Sequence, residues 1–227
     1  MNKSFQIIIG ALMAIAVIAF ASCREDNEGE KTPEYEWPSK HFNQSYILPD
    51  SLIDPSWDYL SKTKKDSFLL GFGVGGESIY SGECPANPRP PHPLYDSLVR
   101  MYHDTAWYGT TNYMYPAIAY PVSAISVVSD ADFDDEHLAG SELIDIANVN
   151  VLSCGDFVLN GYPYDEEHFK SIMQPFSKFT QNERCLWNGA SIGIYFPLPS
   201  LSRTHNLTVT VSFEGRKSVS STVHVEL

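Results

Sequence analysis

The sequence predicts a mainly β protein, with the bulk of the chain folded as a β-sandwich. The first observation is strict alternation across residues 207–213, where Leu207, Val209, Val211 and Phe213 are interleaved with Thr208, Thr210 and Ser212. The second is that alternation resumes through Val219, Val223, Val225 and Leu227 after a Glu214-Gly215-Arg216-Lys217 turn. A period of two on both sides of a Gly turn is the pattern of a half-buried antiparallel hairpin. The third is a set of further short apolar runs separated by turn residues, which favours a sandwich.

The other elements follow in order. Residues 67–74 read as a strand, and so do residues 117–128 (AIAYPVSAISVV), with Pro121 marking an edge position or a bulge. Residues 143–152 and 191–196 are further strands. Helices are short and few. Asp165 is placed to cap a helix whose Phe169, Ile172 and Met173 fall at i, i+3 and i+4, stopped by Pro175. Residues 94–102 after Pro93, and 55–60 after Asp54, are weaker helical segments. Five prolines in residues 84–93 (CPANPRPPHP) exclude helix and ladder alike.

The N-terminus has the order of an export signal. A polar start with Lys3 leads into an apolar run over residues 7–21, and Ser22 and Cys23 follow directly. The run is short of the ~20 residues that a transmembrane helix needs. Phe20-Ala21-Ser22-Cys23 resembles the lipobox of bacterial lipoproteins, with Phe20 where that family more often has Leu. The resemblance implies lipid attachment at Cys23 and cleavage just before it. Two or more acyl chains make a stable anchor, because each buried CH₂ contributes roughly 0.8 kcal/mol. Residues 1–22 are therefore expected to be a signal peptide.

Residues 23–40 are rich in acid (Glu25, Asp26, Glu28, Glu30, Glu34, Glu36) and poor in aliphatic side chains, the composition of a flexible tether. An acidic run after the lipidated Cys is similar to the surface-export signal of Bacteroidota lipoproteins, which implies an outer-membrane anchor facing the cell exterior.

A second resemblance bears on the fold. Residues 124–146 (AISVVSDADFDDEHLAGSELIDI) and 196–227 (FPLPSLSRTHNLTVTVSFEGRKSVSSTVHVEL) resemble poorly characterised Bacteroidota surface lipoproteins. That likeness implies an antiparallel immunoglobulin-like β-sandwich with short helices, in one domain over residues 41–227. Residues 41–115 lie outside it and read as a first strand plus a long N-terminal insertion. The likeness carries no catalytic signature.

Losing Lys3 with the signal moves the formal net charge from -13 to -14. An acidic chain without a basic cluster repels phosphate backbones, which argues against nucleic acid as a partner. Beyond Cys23 the cysteines are Cys84, Cys154 and Cys185, without metal-finger spacing. One disulfide fits an oxidising compartment, in any of the three pairings.

Four patterns bear on chemistry. Asp130, Asp132 and Asp134 stand at alternate positions, as an EF-hand loop begins, so a calcium ion is a candidate ligand. The continuation departs from that loop: Asp135 replaces the required Gly and Ser141 the bidentate Glu, so an acidic turn is the plainer reading. Residues 71–76 (GFGVGG) satisfy GxGxxG, but residues 77–82 do not read as the helix that a pyrophosphate needs, and a glycine-rich strand end or bulge fits better. Gly189-Ala190-Ser191-Ile192-Gly193 matches GxSxG, yet a strand-like run follows Ser191, and Glu214 and His224 fall on the hairpin's polar face. No catalytic residues are assigned, and the chain is expected not to be an enzyme.

The fourth pattern is an aromatic stretch holding Trp107, Tyr108, Tyr113, Tyr115 and Tyr120. Exposed aromatic planes stack on sugar faces, so Trp107, Tyr108 and Tyr113 form a candidate glycan platform. Against it, the same rings serve equally to pack the loop onto the sandwich. Two functions follow: a non-catalytic adhesion or assembly module making protein contacts, or a glycan-binding lipoprotein of a nutrient-uptake system.

Overall fold

In chain order the elements are β1 (Ser45–Ile53), β2 (Ser67–Tyr80), α1 (Tyr95–Met101), β3 (Ala117–Ile118), β4 (Val122–Ser129), β5 (Asn148–Ser153), α2 (Gly155–Leu159), β6 (Lys170–Gln174), β7 (Ile192–Pro197), β8 (Thr204–Phe213) and β9 (Val219–Glu226). This computed structural model describes residues 40–53, 66–82, 90–109, 116–163, 167–189 and 192–227. The chain divides into two units, Met1–Trp37 and Pro38–Leu227, and every described residue belongs to the second. Cys23, the acidic run before residue 37, the helix expected over residues 55–60, Cys84, Tyr113, Tyr115, Asp165 and Ser191 lie outside the described residues.

The protein is mainly β, with two sheets. One has six strands in the order β3-β1-β2-β7-β5-β6, and the other has three in the order β4-β8-β9. Alternation explains both. On β2, Phe68, Leu70, Phe72 and Val74 are buried while their neighbours are half-exposed. On β8, Leu207, Val209, Val211 and Phe213 point inward, as their spacing requires. These side chains join Ile192, Ile194 and Phe196 of β7 and Val149 and Val151 of β5 in one apolar core shared by both sheets. The arrangement is compatible with a β-sandwich. Each fully buried apolar side chain contributes about 1.5–3 kcal/mol.

The outward face of the hairpin is a hydroxyl ladder. Thr208 faces Thr222 at 3.0 Å, Thr210 faces Ser220 at 2.8 Å, and Ser212 faces Ser218 at 2.8 Å. Gly215 closes the turn with φ +66, a conformation in which a Cβ is costly.

Four expectations need correction. The helix expected after Asp165 is the strand β6, where Ile172 is buried against β5 and Met173 is 51% exposed. Three apolar residues at helical spacing are too few to outweigh a ladder. The run over residues 143–152 opens with a 3₁₀ turn, Ile144–Ile146, and extends only from Asn148. The run over residues 117–128 is two strands, β3 and β4, at the edges of different sheets, with Pro121 at the break just before a register shift between Val122 and Ala124, as an edge or bulge proline stands. Finally, β1 is the first strand expected in residues 41–115 and β2 contains the strand expected over residues 67–74, but both belong to the large sheet, so the long insertion is not observed as such; and β3 pairs with β1 in parallel, so the ladders are not all antiparallel.

The glycines at residues 71–76 lie within β2. Opposite them the register of β1 shifts between Pro49 and Ser51, a bulge that faces Gly75 and Gly76. A Cβ on Gly76 would sit 1.8 Å from the Leu48 carbonyl oxygen, so only glycine permits this approach.

A second apolar cluster lies where α1 and α2 meet β1 and the end of β2. It holds Phe42, Tyr46, Ile79, Tyr95, Leu98 and Phe157 among others. Cys154 and Cys185 sit here as buried free thiols rather than as disulfide partners. Burial pushes the Cys154 thiol well up and the Cys185 thiol up to about 12. Neither is a thiolate nucleophile near neutral pH.

Candidate functional site

The aromatic stretch begins as α1 ends. Tyr102 is buried and donates its hydroxyl to the Ala119 carbonyl at 3.1 Å. Two residues on, Asp104 is 0% exposed. Its carboxylate accepts the backbone N–H of Phe42 at 2.6 Å, that of Asn43 at 2.9 Å, and the Tyr162 hydroxyl at 2.7 Å. The Asn43 side-chain amide adds a longer bond at 3.3 Å. This carboxylate clasps the entry to β1, the segment after α1 and the segment after α2. His103 and Tyr162 hold positive φ values of 55 and 61 beside it, backbone strain that the clasp stabilises.

Trp107 is half-buried. Its ring packs edge-on against Phe42 at 5.2 Å, Phe157 at 5.5 Å and His168 at 5.4 Å, and lies tilted to Tyr162 at 5.3 Å. Its neighbour Tyr108 is 86% exposed. Of the expected platform of Trp107, Tyr108 and Tyr113, Trp107 is half-buried and packs against the second apolar cluster, while Tyr113 lies outside the described residues. Alternating exposure within a loop depends on where its backbone is tied, which aromatic content does not reveal.

The acidic loop resolves differently from a calcium loop. Asp130 accepts from the Asn206 backbone and side-chain amide at 2.7 and 2.6 Å. Asp132 accepts the Ala139 N–H at 2.8 Å, and Asp134 accepts the N–H groups of Glu136 and His137 at 2.9 and 2.8 Å. The three carboxylates cap three different backbone segments instead of converging. Among the described residues no group of three or more His, Cys, Asp or Glu side chains is placed to hold a metal ion.

Sequence reasoning missed His137, which locks this loop. Its Nδ1 lies 2.7 Å from Asp134 Oδ1 and its Nε2 lies 3.3 Å from Asp145 Oδ2. The bond to Asp134 raises the imidazole above its ordinary 6.5. Partial burial pushes the Asp134 carboxyl up, but the bonds from His137 and Glu136 outweigh it and hold it below 3.8. The raised imidazole contributes stability that is complete below pH 6.5 and is lost as pH rises through its folded value. The depressed carboxyl contributes stability that is present above pH 3.8 and is lost as pH falls through its folded value. Wild type is therefore expected to exceed His137→Asn most between those limits, by on the order of 1 kcal/mol, since His137 is buried but Asp134 stays partly open to solvent. Denaturant midpoints at pH 5, 7 and 9 check this, and a gap that grows toward pH 9 contradicts it.

GxSxG does not meet the geometry of a nucleophile elbow, because β7 begins directly after Ser191 where a helix is needed. His224 lies on the solvent face, 2.9 Å from Asn206 and 3.5 Å from Glu226.

Two clefts remain. One, of about 410 Å³, is lined by Asp156, Phe157, Glu167, His168 and Lys170. Its lysine is already committed, at 2.6 Å to Glu183 and 3.5 Å to Asp156. The other, of about 770 Å³, lies between β1 and the β8–β9 turn and is lined by Leu48, Pro49, Asp50, Glu77, Arg216 and Lys217 among others. Arg216 is fixed there by its guanidinium, 4.3 Å from the Tyr120 ring centroid, and by a hydrogen bond to the Tyr120 hydroxyl. Among the described residues Asp50, Arg216 and Lys217 form no ion pair.

Comparison of the chain with protein-family models, with curated proteins and with solved structures gives no match. What the protein can do therefore follows from its own geometry.

Proposed function

We propose that the chain is a lipoprotein anchored through Cys23 to the outer membrane and facing the cell exterior, and that its immunoglobulin-like sandwich is a non-catalytic adhesion or assembly module working through protein contacts. The lipobox-like Phe20-Ala21-Ser22-Cys23 and the acidic run after it support the anchor. Two sheets sharing one core, with ladders antiparallel except at β3, support the sandwich. Among the described residues no helix is long and apolar enough to cross a membrane, so attachment falls to the lipid in this reading.

The observation that favours protein over glycan is that Trp107 is half-buried and committed by edge contacts to Phe42 and Phe157, which leaves it a poorer stacking surface than a fully exposed ring. Mass spectrometry of the purified protein is expected to find a diacylglyceryl-modified N-terminal Cys23, and an unmodified Cys23 inside an intact chain overturns the anchor. Cross-linking on intact cells is expected to capture a protein partner while a glycan array stays blank. Saccharide binding that Tyr108→Ala removes would replace this reading with the glycan-binding one.

A further inference from the structure

We propose that the cleft between β1 and the β8–β9 turn binds a short free peptide as a zwitterion, with the ammonium terminus of the peptide at Asp50 and Glu77 and its carboxylate terminus at Arg216 and Lys217. This is a small-ligand site, and it does not depend on the protein contacts proposed above.

The backbone sets the size of the occupant. Cα atoms of β1 and β9 approach within 8 Å, less than the roughly 9.5 Å that two strand spacings require. No strand fits between them. What the seam leaves is a depression of about 770 Å³ lined by side chains, within the ~300–1,000 Å³ of small-molecule sites.

The acidic wall is built by the bulge. Asp50 is the residue of β1 left without a partner on β2, since Pro49 pairs with Gly76 and Ser51 with Gly75. Bulges re-aim side chains and are over-represented next to active sites. This one depends on Gly76, where a Cβ would also lie 3.2 Å from the Asp50 nitrogen. Glu77 pairs with Leu48 in the same register, and both line the cleft. The bulge thus adds a second carboxylate to the wall that Glu77 already lines. The basic wall is held by the turn. Arg216 lies over the Tyr120 ring and donates to its hydroxyl, and Lys217 follows it. A planar guanidinium already fixed on a ring loses little freedom when it receives a carboxylate.

The charges select the ligand. Among the described residues no ion pair joins Asp50 or Glu77 to Arg216 or Lys217. Glu77 lies 3.1 Å from His92 Nε2, and Asp50 accepts the Ser51 hydroxyl at 2.7 Å. Opposite charges held apart on two walls complement a ligand that carries both signs at its two ends. An ion of one sign is attracted by one wall and repelled by the other. A free amino acid carries both charges on one carbon, so it cannot span walls separated by more than an ion-pair distance. A peptide of three residues spans up to about 10 Å between its termini. Its uncharged middle meets the apolar part of the lining, Leu48, Pro49 and Val219.

The test titrates the purified full-length chain with trialanine at low salt, followed by ligand-observed nuclear magnetic resonance. Three controls run beside it: acetyl-trialanine, which keeps only the carboxylate, trialanine amide, which keeps only the ammonium, and free alanine. Trialanine is expected to bind with a dissociation constant on the order of 1 mM, and each control about fivefold more weakly or worse, because solvent-exposed charge pairs are individually weak. The variant Asp50→Asn, Glu77→Gln is expected to bind trialanine and acetyl-trialanine alike while still preferring trialanine to its amide. The variant Arg216→Gln, Lys217→Gln is expected to bind trialanine and its amide alike while still preferring trialanine to the acetylated form. All four positions are exposed, and circular dichroism checks that the variants are folded. Absence of saturable trialanine binding by wild type, any control that binds as tightly as trialanine, or a preference that survives removal of its own wall each overturns the proposal.

Discussion

Asp104→Ala is expected to lower the unfolding free energy by about 3–6 kcal/mol, since each buried donor stripped of its acceptor costs about 1–3 kcal/mol. Three buried donors depend on this carboxylate, the N–H groups of Phe42 and Asn43 and, at 3.3 Å, the Asn43 side-chain amide, and the part-buried Tyr162 hydroxyl is a fourth. Two are backbone groups, which no compensating side-chain change can remove. Burying the carboxylate has its own desolvation cost, and an apolar residue would avoid it. The orphaned donors decide the sign, because the backbone N–H groups of Phe42 and Asn43 lie on residues that are 1% exposed, where water cannot replace the carboxylate. Asp104→Asn keeps one acceptor oxygen but turns an N–H group toward the donors, so an intermediate loss is expected. Guanidinium denaturation checks both variants, and Trp107 fluorescence reports whether the second apolar cluster loosens with the clasp. A domain of this size has roughly 5–15 kcal/mol in total, so the alanine variant is at the margin of folding. A loss under about 1 kcal/mol would mean that the segments around β1 and α2 are held together by apolar packing alone.

Nothing in the sequence marks Asp104. Its partners are 62, 61 and 58 residues away, and a lone acid in an aromatic stretch has no period or spacing to betray it. The C-terminal hairpin is the opposite case, since its two strands are adjacent in sequence and its alternation is a direct record of which face is buried. β6 lies between these extremes. Its Ile172 is buried by pairing with Val151 of β5, a contact that local spacing cannot reveal and that read as part of a helix. The Asp130–Asp134 pattern was visible but its use was not, because the backbone donors that each carboxylate caps come from Ala139, His137 and the distant Asn206. The cleft was equally hidden, since it is made by residues 48–50 meeting residues 215–219, far apart in sequence.

Val211→Asp is expected to unfold the protein or to cost about 4 kcal/mol or more, since the effective penalty for an unpaired buried ion is several kcal/mol. Val211 is 1% exposed and lies opposite Ile125 on β4 and Val219 on β9. Its inward neighbours on β8 are Val209 and Phe213, so no polar group on that face is placed to receive a carboxylate. Protonation would relieve the charge but still leave two oxygens among alkyl groups. Thr208→Asp is the control, three residues along the same strand on the opposite face. Its side chain is exposed and bonds only the Thr222 hydroxyl at 3.0 Å, so the loss is expected to stay within about 1 kcal/mol. Far-ultraviolet circular dichroism and denaturant midpoints of the two variants separate a loss specific to the buried face from a general intolerance of acid on an acidic protein. Equal losses would show that net charge, and not the shared core between the sheets, governs the stability of this hairpin.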